Sequence, residues 1–147
     1  MPGQKDFDRP LNERGHHDAP MMAQRLLEKK ILIDVFLSST ANRAITTAVY
    51  FAETYQRKKK DIQGFQKLYH AYSGIFYEVI CQTDDTIVTA AVFSHNPGIT
   101  DFVNSLTTTQ IDNMPTCGVF AVKAETNHWK DFRSAKKTFW FFDYPKL

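Results

Sequence analysis

Two apolar runs constrain this chain more than any other feature. They are Ile31 to Leu37 and Thr86 to Phe93 (TIVTAAVF), both rich in β-branched residues. A near-continuous apolar run of that length is the pattern of a strand buried on both faces of a parallel sheet. Each run passes straight into a polar turn and then a helix pattern: "SSTANRA" after the first, "SHNPG" after the second. Strands that feed helices in this way build an α/β domain with helices on both sheet faces.

The remaining elements fit that frame. Residues 1–11 are polar, carry two prolines and read as a loop. Asn12 is placed to cap a helix running to about Lys30, whose Ala19, Met22, Ala23, Leu26 and Leu27 form one apolar stripe. Pro20 interrupts that span, so either its first turn is irregular or the regular helix starts near Asp18. A second helix is expected over Ala41 to Gln56, closed by the basic run Arg57 to Lys60, which suits a helix C-terminus and a solvated surface. Residues 61–72 show no period. A short helix with Ser73 as its cap is expected to Cys81, a further helix over Ile99 to Leu106, and strands over Cys117 to Lys123 and Thr138 to Asp143. At 147 residues the chain suits a single domain, 1–147.

Composition excludes several classes. With 43% hydrophobic residues the chain is globular, and a net charge of +2 is too balanced for nucleic acid or an anionic membrane as the main partner. No apolar run reaches membrane-spanning length, and the N-terminus is polar with acids present, unlike a secretory signal. Cys81 and Cys117 lack metal-ligand spacing and read as free thiols, so a cytoplasmic setting is expected. Nothing marks Cys117 as a nucleophile. His16 and His17 are adjacent and point about 100° apart on a helix, which suits solvent rather than a shared metal. His70 reads as a loop residue, with a place lining the site as the alternative, His128 as a surface residue, and the Phe139 to Phe142 run as strand filler.

Arg43 is the residue that does not fit. It opens the second helix, where the macrodipole favours negative groups. Something anionic is therefore expected opposite it. His95 follows the second buried run. In open α/β sheets ligands gather beyond the C-terminal ends of strands, so a guanidinium and an imidazole there can share one anion pocket.

The segments "DFDRPLNERG", "LSSTANRAITTA", "SHNPGITDFVNSL", "DNMPTCGVFAV" and the ending "FFDYPKL" stand in the order found in SixA-type phosphohistidine phosphatases. The chain resembles these members of the histidine phosphatase superfamily from Asp6 onward. The resemblance implies a phosphoglycerate-mutase-like fold: three layers, with a mostly parallel sheet between helices. It implies hydrolysis of phosphohistidine or another phosphomonoester through a phosphohistidine intermediate, without a metal or other cofactor. The substrate would be a phosphorylated protein or a small phosphorylated metabolite. It places Arg43 and His95 as the catalytic, phosphate-binding pair, with Asp8, Arg9 and Asn96 at the pocket rim. Arginine offers a phosphate two parallel donors, and protonation would strengthen a histidine donor.

The departures are specific. The family carries its nucleophile in an Arg-His pair ending a central first strand, ahead of the segment like DFDRPLNERG, and this sequence has no Arg-His pair. Thr40 stands where the family often has proline, and Ser94 where it often has glycine. The expectation is an N-terminally incomplete domain lacking that strand, inactive alone. Either Met1 is an internal methionine or the chain is a truncated relative. The rival readings are a module that binds phosphate or phosphoproteins without turnover, and a fragment.

Overall fold

The computed structural model describes residues 5–146. Helix α1 spans Glu13–Glu28, strand β1 Val35–Ser39, α2 Asn42–Thr54, β2 Ile62–Phe65, α3 Ser73–Cys81, β3 Ala90–Phe93, α4 Gly98–Leu106, β4 Val119–Ala124 and β5 Lys137–Asp143. Strands β2, β1 and β3 form a parallel sheet in that order, while β4 and β5 pair as an antiparallel hairpin. Helices flank the parallel sheet, as the alternation of runs and helices requires.

β1 is the centre of the sheet and is buried along its whole length. Alternate side chains serve two cores. Val35 and Leu37 join a cluster with Phe76, Val79 and Phe102 from α3 and α4. Phe36 joins the other, with Met22, Leu26 and Phe51 from α1 and α2. Cover on both faces removes the usual alternation, which is why Val35, Phe36 and Leu37 read as a continuous apolar run before the buried Ser38 and Ser39.

Several elements differ from the sequence expectation. α1 is regular from Glu13, with Asn12 Oδ1 accepting from the Gly15 N–H at 2.8 Å, and Pro20 lies well inside it. Burial of Ala19, Met22, Ala23 and Leu26 outweighs the backbone hydrogen bond that proline forgoes. Leu27, expected in the stripe, is 37% exposed. β2 was not expected at all. The second apolar run forms a strand only from Ala90, because the Asp34 carboxylate takes the Val88 and Thr89 N–H groups out of any ladder. The next strand starts at Val119 and not Cys117, whose φ of 61° is left-handed. Tyr72, rather than Ser73, occupies the cap position of α3. The first four residues of the loop expected over 1–11 lie outside the described residues; Asp6–Asp8 form a single 3-10 turn.

Candidate functional site

The site lies where β1 and β3 end side by side. Their parallel register sets Ser38 beside Phe93, so the next residues of both strands emerge together. Ser39 is fully buried, and its Oγ accepts the Ala41 N–H at 3.2 Å, shaping the turn into α2. After β3, the Ser94 hydroxyl donates to the Leu68 carbonyl at 2.7 Å. This ties the β3–α4 loop to the turn carrying Tyr69 and His70. His95 then falls against β1, with Nε2 2.8 Å from Ser39 Oγ.

His95 is 8% exposed. Burial, with the Arg43 charge as a smaller contribution, pushes its imidazole down to about 4. The ring is therefore neutral near pH 7.

Arg43, in the first turn of α2, finds the anion its position demands. Nη1 donates to the main-chain oxygen of Asp6 at 2.9 Å, and Nη2 to the Asp6 carboxylate at 3.3 Å. That carboxylate is a hub. It accepts from the Tyr69 hydroxyl at 2.6 Å and from Arg9 Nη2 at 2.7 Å, and His70 Nε2 lies 3.8 Å away. The Tyr69 hydroxyl foremost, with Arg43 and Arg9 adding charge, holds Asp6 below the ordinary carboxylate range. The same contact raises the Tyr69 phenol. The Tyr69 ring meets His95 edge-on at 5.5 Å and stacks on His70 at 4.0 Å. Two guanidiniums, the Tyr69 phenol and the His70 imidazole thus gather around one carboxylate, and His95 packs edge-on against Tyr69 while hydrogen-bonded to Ser39.

Arg43, His95, Arg9 and Asn96 all line one large cleft. Asn96 is committed to its own loop: it donates to the Met114 carbonyl at 2.9 Å and accepts from the Thr100 hydroxyl. Asp8 gives its main-chain oxygen to Asn42 Nδ2 at 3.1 Å. Asp6, Tyr69 and Ser39 do not stand out in the sequence, whereas His70 reads as a loop residue with lining the site as the alternative, and it lies 3.8 Å from the Asp6 carboxylate. His70 has a φ of 56°, a left-handed conformation. His16 Nδ1 lies 2.7 Å from the Tyr50 hydroxyl and His128 Nδ1 2.9 Å from the Asp85 carboxylate, so both are engaged outside the Asp6 cluster. Burial pushes the Cys117 thiol up to about 11, the opposite of an activated nucleophile.

The family model of the histidine phosphatase superfamily (branch 1) matches residues 2–78, which hold Arg43 and the Asp6 hub. The chain belongs to the histidine phosphatase superfamily. Solved structures agree on the fold. One described as a phosphohistidine phosphatase SixA from Agrobacterium tumefaciens is 23% identical, with a TM-score of 0.79 over 99% of this chain and 89% of its own. A SixA counterpart from Nakamurella multipartitia is 18% identical, with a TM-score of 0.85 over 100% of this chain and 91% of its own. A third, the protein histidine phosphatase SixA complexed with tungstate, is 20% identical, with a TM-score of 0.81 over 98% and 89%. No curated protein sequence matches. Arg43, Asp6, Tyr69 and His70 all lie within the stretch that the family model matches.

Proposed function

We propose that the cluster around Asp6 is a phosphoryl site and that the chain acts in the manner of a SixA-type phosphatase on phosphohistidine or another phosphomonoester. The observation that carries this reading is the pairing of Arg43 and His95 at the ends of neighbouring parallel strands, with an anion already seated on Arg43. A phosphoryl group entering there would exchange the Asp6 contacts for its own oxygens. Arg43 would take two of them in parallel, and Arg9 would add positive charge at the rim. The incoming dianion would also raise the proton affinity of His95, turning a neutral ring into a charged donor as the substrate binds. Phosphoryl transfer depends mainly on this kind of positioning and charge compensation. In a phosphatase of this kind a histidine takes the phosphoryl group and water releases phosphate.

A second reading has its own support. The 147 residues contain no Arg-His pair, and a phosphate pocket without a nucleophile is a binding module for phosphorylated proteins or metabolites. One set of measurements separates the two. Hydrolysis of a phosphohistidine peptide and of p-nitrophenyl phosphate is followed alongside tungstate binding, in the parent chain and in Arg43→Ala and His95→Ala. Turnover lost in both variants supports the phosphatase. Tungstate binding without turnover, lost in both variants, supports the binding module. Turnover or binding that survives both substitutions removes the site from either reading.

A further inference from the structure

Two helices end together at the edge of the parallel sheet opposite the phosphoryl site. α1 leads into β1 and α2 returns from it, so both C-termini lie where β1 begins. The Tyr55 hydroxyl, just after α2, donates to the Ile31 carbonyl, just after α1, at 2.7 Å and holds the two ends together. The register of β1 and β2 sets Phe36 beside Ile62, so the residues before β2 lie at this edge too. Five exposed cations gather here: Lys30 behind α1, and Arg57, Lys58, Lys59 and Lys60 between α2 and β2. Leu32 is 71% exposed and lies between Lys30 and Asp34, whose carbonyl accepts from Arg57 Nη1 at 3.4 Å.

Neither ion pairing nor the helix dipole accounts for these charges. Among the described residues none of the five forms a salt bridge, whereas the neighbouring Lys29 reaches Asp143 at 3.6 Å. Acids near them are engaged elsewhere. Asp61 accepts the Lys58 N–H at 2.9 Å, Asp34 accepts those of Val88 and Thr89, and Glu28 accepts from Gln24 Nε2 at 3.3 Å. A helix dipole acts within the last turn. The last turn of α2 carries no basic residue, and Lys59 and Lys60 belong to a separate 3-10 turn. Lys30 is also costly where it stands. Its φ of 60° closes α1, with the Ile31 N–H on the Leu26 carbonyl at 3.1 Å, in a position that favours glycine. The chain keeps a cation there against the preference of its backbone.

We propose that this edge docks an acidic segment of a partner protein, an extended run of Asp and Glu with one apolar side chain to cover Leu32. Charge complementarity sets the sign of the partner, and the segment carries about as many carboxylates as the patch has cations. Two other polyanions fit less well. A lipid surface is held by a broad apolar face together with cations. Here only Leu32 and, across Asp34, Val88 are mostly exposed. The net charge of the chain is only +2, so the surface outside these five cations is net negative. An extended anionic sheet would repel it, whereas a short segment meets the patch alone. Single-stranded nucleic acid stacks its bases on exposed rings. The ring nearest these cations in the chain, Tyr55, is half-buried. Helix α2, with 13 residues, is about 20 Å long and separates the patch from Arg43, so a docked segment leaves the phosphoryl site open. The inference stands whether or not that site turns phosphate over.

The test uses the full chain and a fluorescein-labelled peptide of glutamates around one central leucine, with a glutamine version as control. Anisotropy reads affinity in low and high chloride, and NMR reads which amides shift. The expected result is saturable binding of the acidic peptide, with shifts confined to residues 30–32 and 57–61, and no binding of the glutamine peptide. High chloride should weaken binding at least tenfold. So should the combined variant Lys58→Gln, Lys59→Gln, Lys60→Gln, whose sulfate binding at Arg43 should match the parent. Leu32→Ser should weaken binding about threefold. The single variant Lys59→Gln, expected to weaken binding about twofold, reads the same patch if the triple variant is unstable. Absence of binding in low chloride, or binding that the lysine substitutions leave intact, overturns the proposal. Shifts at Arg43 and His95 in place of the lysines put the peptide in the phosphoryl site and overturn it as well. Tighter association with phosphatidylserine–phosphatidylcholine vesicles or with an oligothymidine, lost in the lysine variants, overturns it in favour of a lipid surface or a nucleic acid.

Discussion

Arg43 donates to both the main-chain oxygen and the carboxylate of Asp6, so the guanidinium at the mouth of the site is held by an anion from its own chain. The contact explains how an arginine is tolerated in the first turn of α2, which contains no acidic residue of its own. It also means that any incoming oxyanion competes with Asp6.

Replacing that competitor should therefore help binding. In Asp6→Asn the amide keeps the shape but loses the charge, and the Arg43 side chain is released more easily. Sulfate or tungstate affinity, measured by calorimetry, should rise severalfold. Unchanged or weaker affinity would show that Asp6 orients Arg43 for binding more than it blocks it.

Arg43→Lys keeps the charge and removes the parallel pair of donors. Lysine presents a point charge that cannot bridge two oxygens in a fixed plane. Anion affinity should fall by about tenfold, the scale of one charge-assisted hydrogen bond. The thermal midpoint should change little, because Arg43 is partly exposed and its partner on Asp6 more so. Equal affinity for parent and variant in the same calorimetric titration would move the anion elsewhere.

Part of this site was legible in the sequence for a physical reason. Arg43 stood out because it contradicts the helix dipole, and His95 because it follows a buried run. Asp6 did not stand out, because an acid in a polar leader has no local rule to break, and only its long-range contact with Tyr69 and Arg43 gives it meaning. The fold shows the same division. β1 was readable because burial on both faces makes Val35, Phe36 and Leu37 apolar without alternation. β2, an edge strand with Gln63 and Gly64 at its centre, carries no such pattern and was missed; β1 alone recruits it. The run from Thr86 looked like a longer strand because apolar residues also serve loops. Val88 is 82% exposed, and Ile87 gives its carbonyl to Trp129.

Gly98 opens α4 immediately after the loop that carries His95. A Cβ there would collide with the Ala71 carbonyl oxygen, which is backbone and cannot swing away. Gly98→Ala should destabilise the fold by about 2 kcal/mol, the scale of overpacking in a tight site. Because the strain would be relieved by moving the loop, anion affinity should drop as well. Chemical denaturation together with a sulfate titration checks both, and a variant as stable as the parent would contradict the close approach.

His95 makes stability depend on pH in a definite direction. Its folded value is about 4, below the 6.5 of a free imidazole, so the unfolded chain binds the proton more readily. The native state is thus favoured fully above pH 6.5, and the advantage is lost as pH falls toward 4. The whole effect is on the order of 3 kcal/mol. Asp6 and Asp18, whose values lie below 3.8, contribute only at the acid end of this window or beyond it. Urea midpoints between pH 7 and 4.5 should fall in the parent and stay nearly flat in His95→Gln. Sulfate remains a dianion over that range and favours the protonated ring, so it should bind more tightly as pH falls and offset part of the loss. A parent whose stability does not change across this window, or a glutamine variant with the same slope, would show that the buried imidazole is not held neutral by its surroundings.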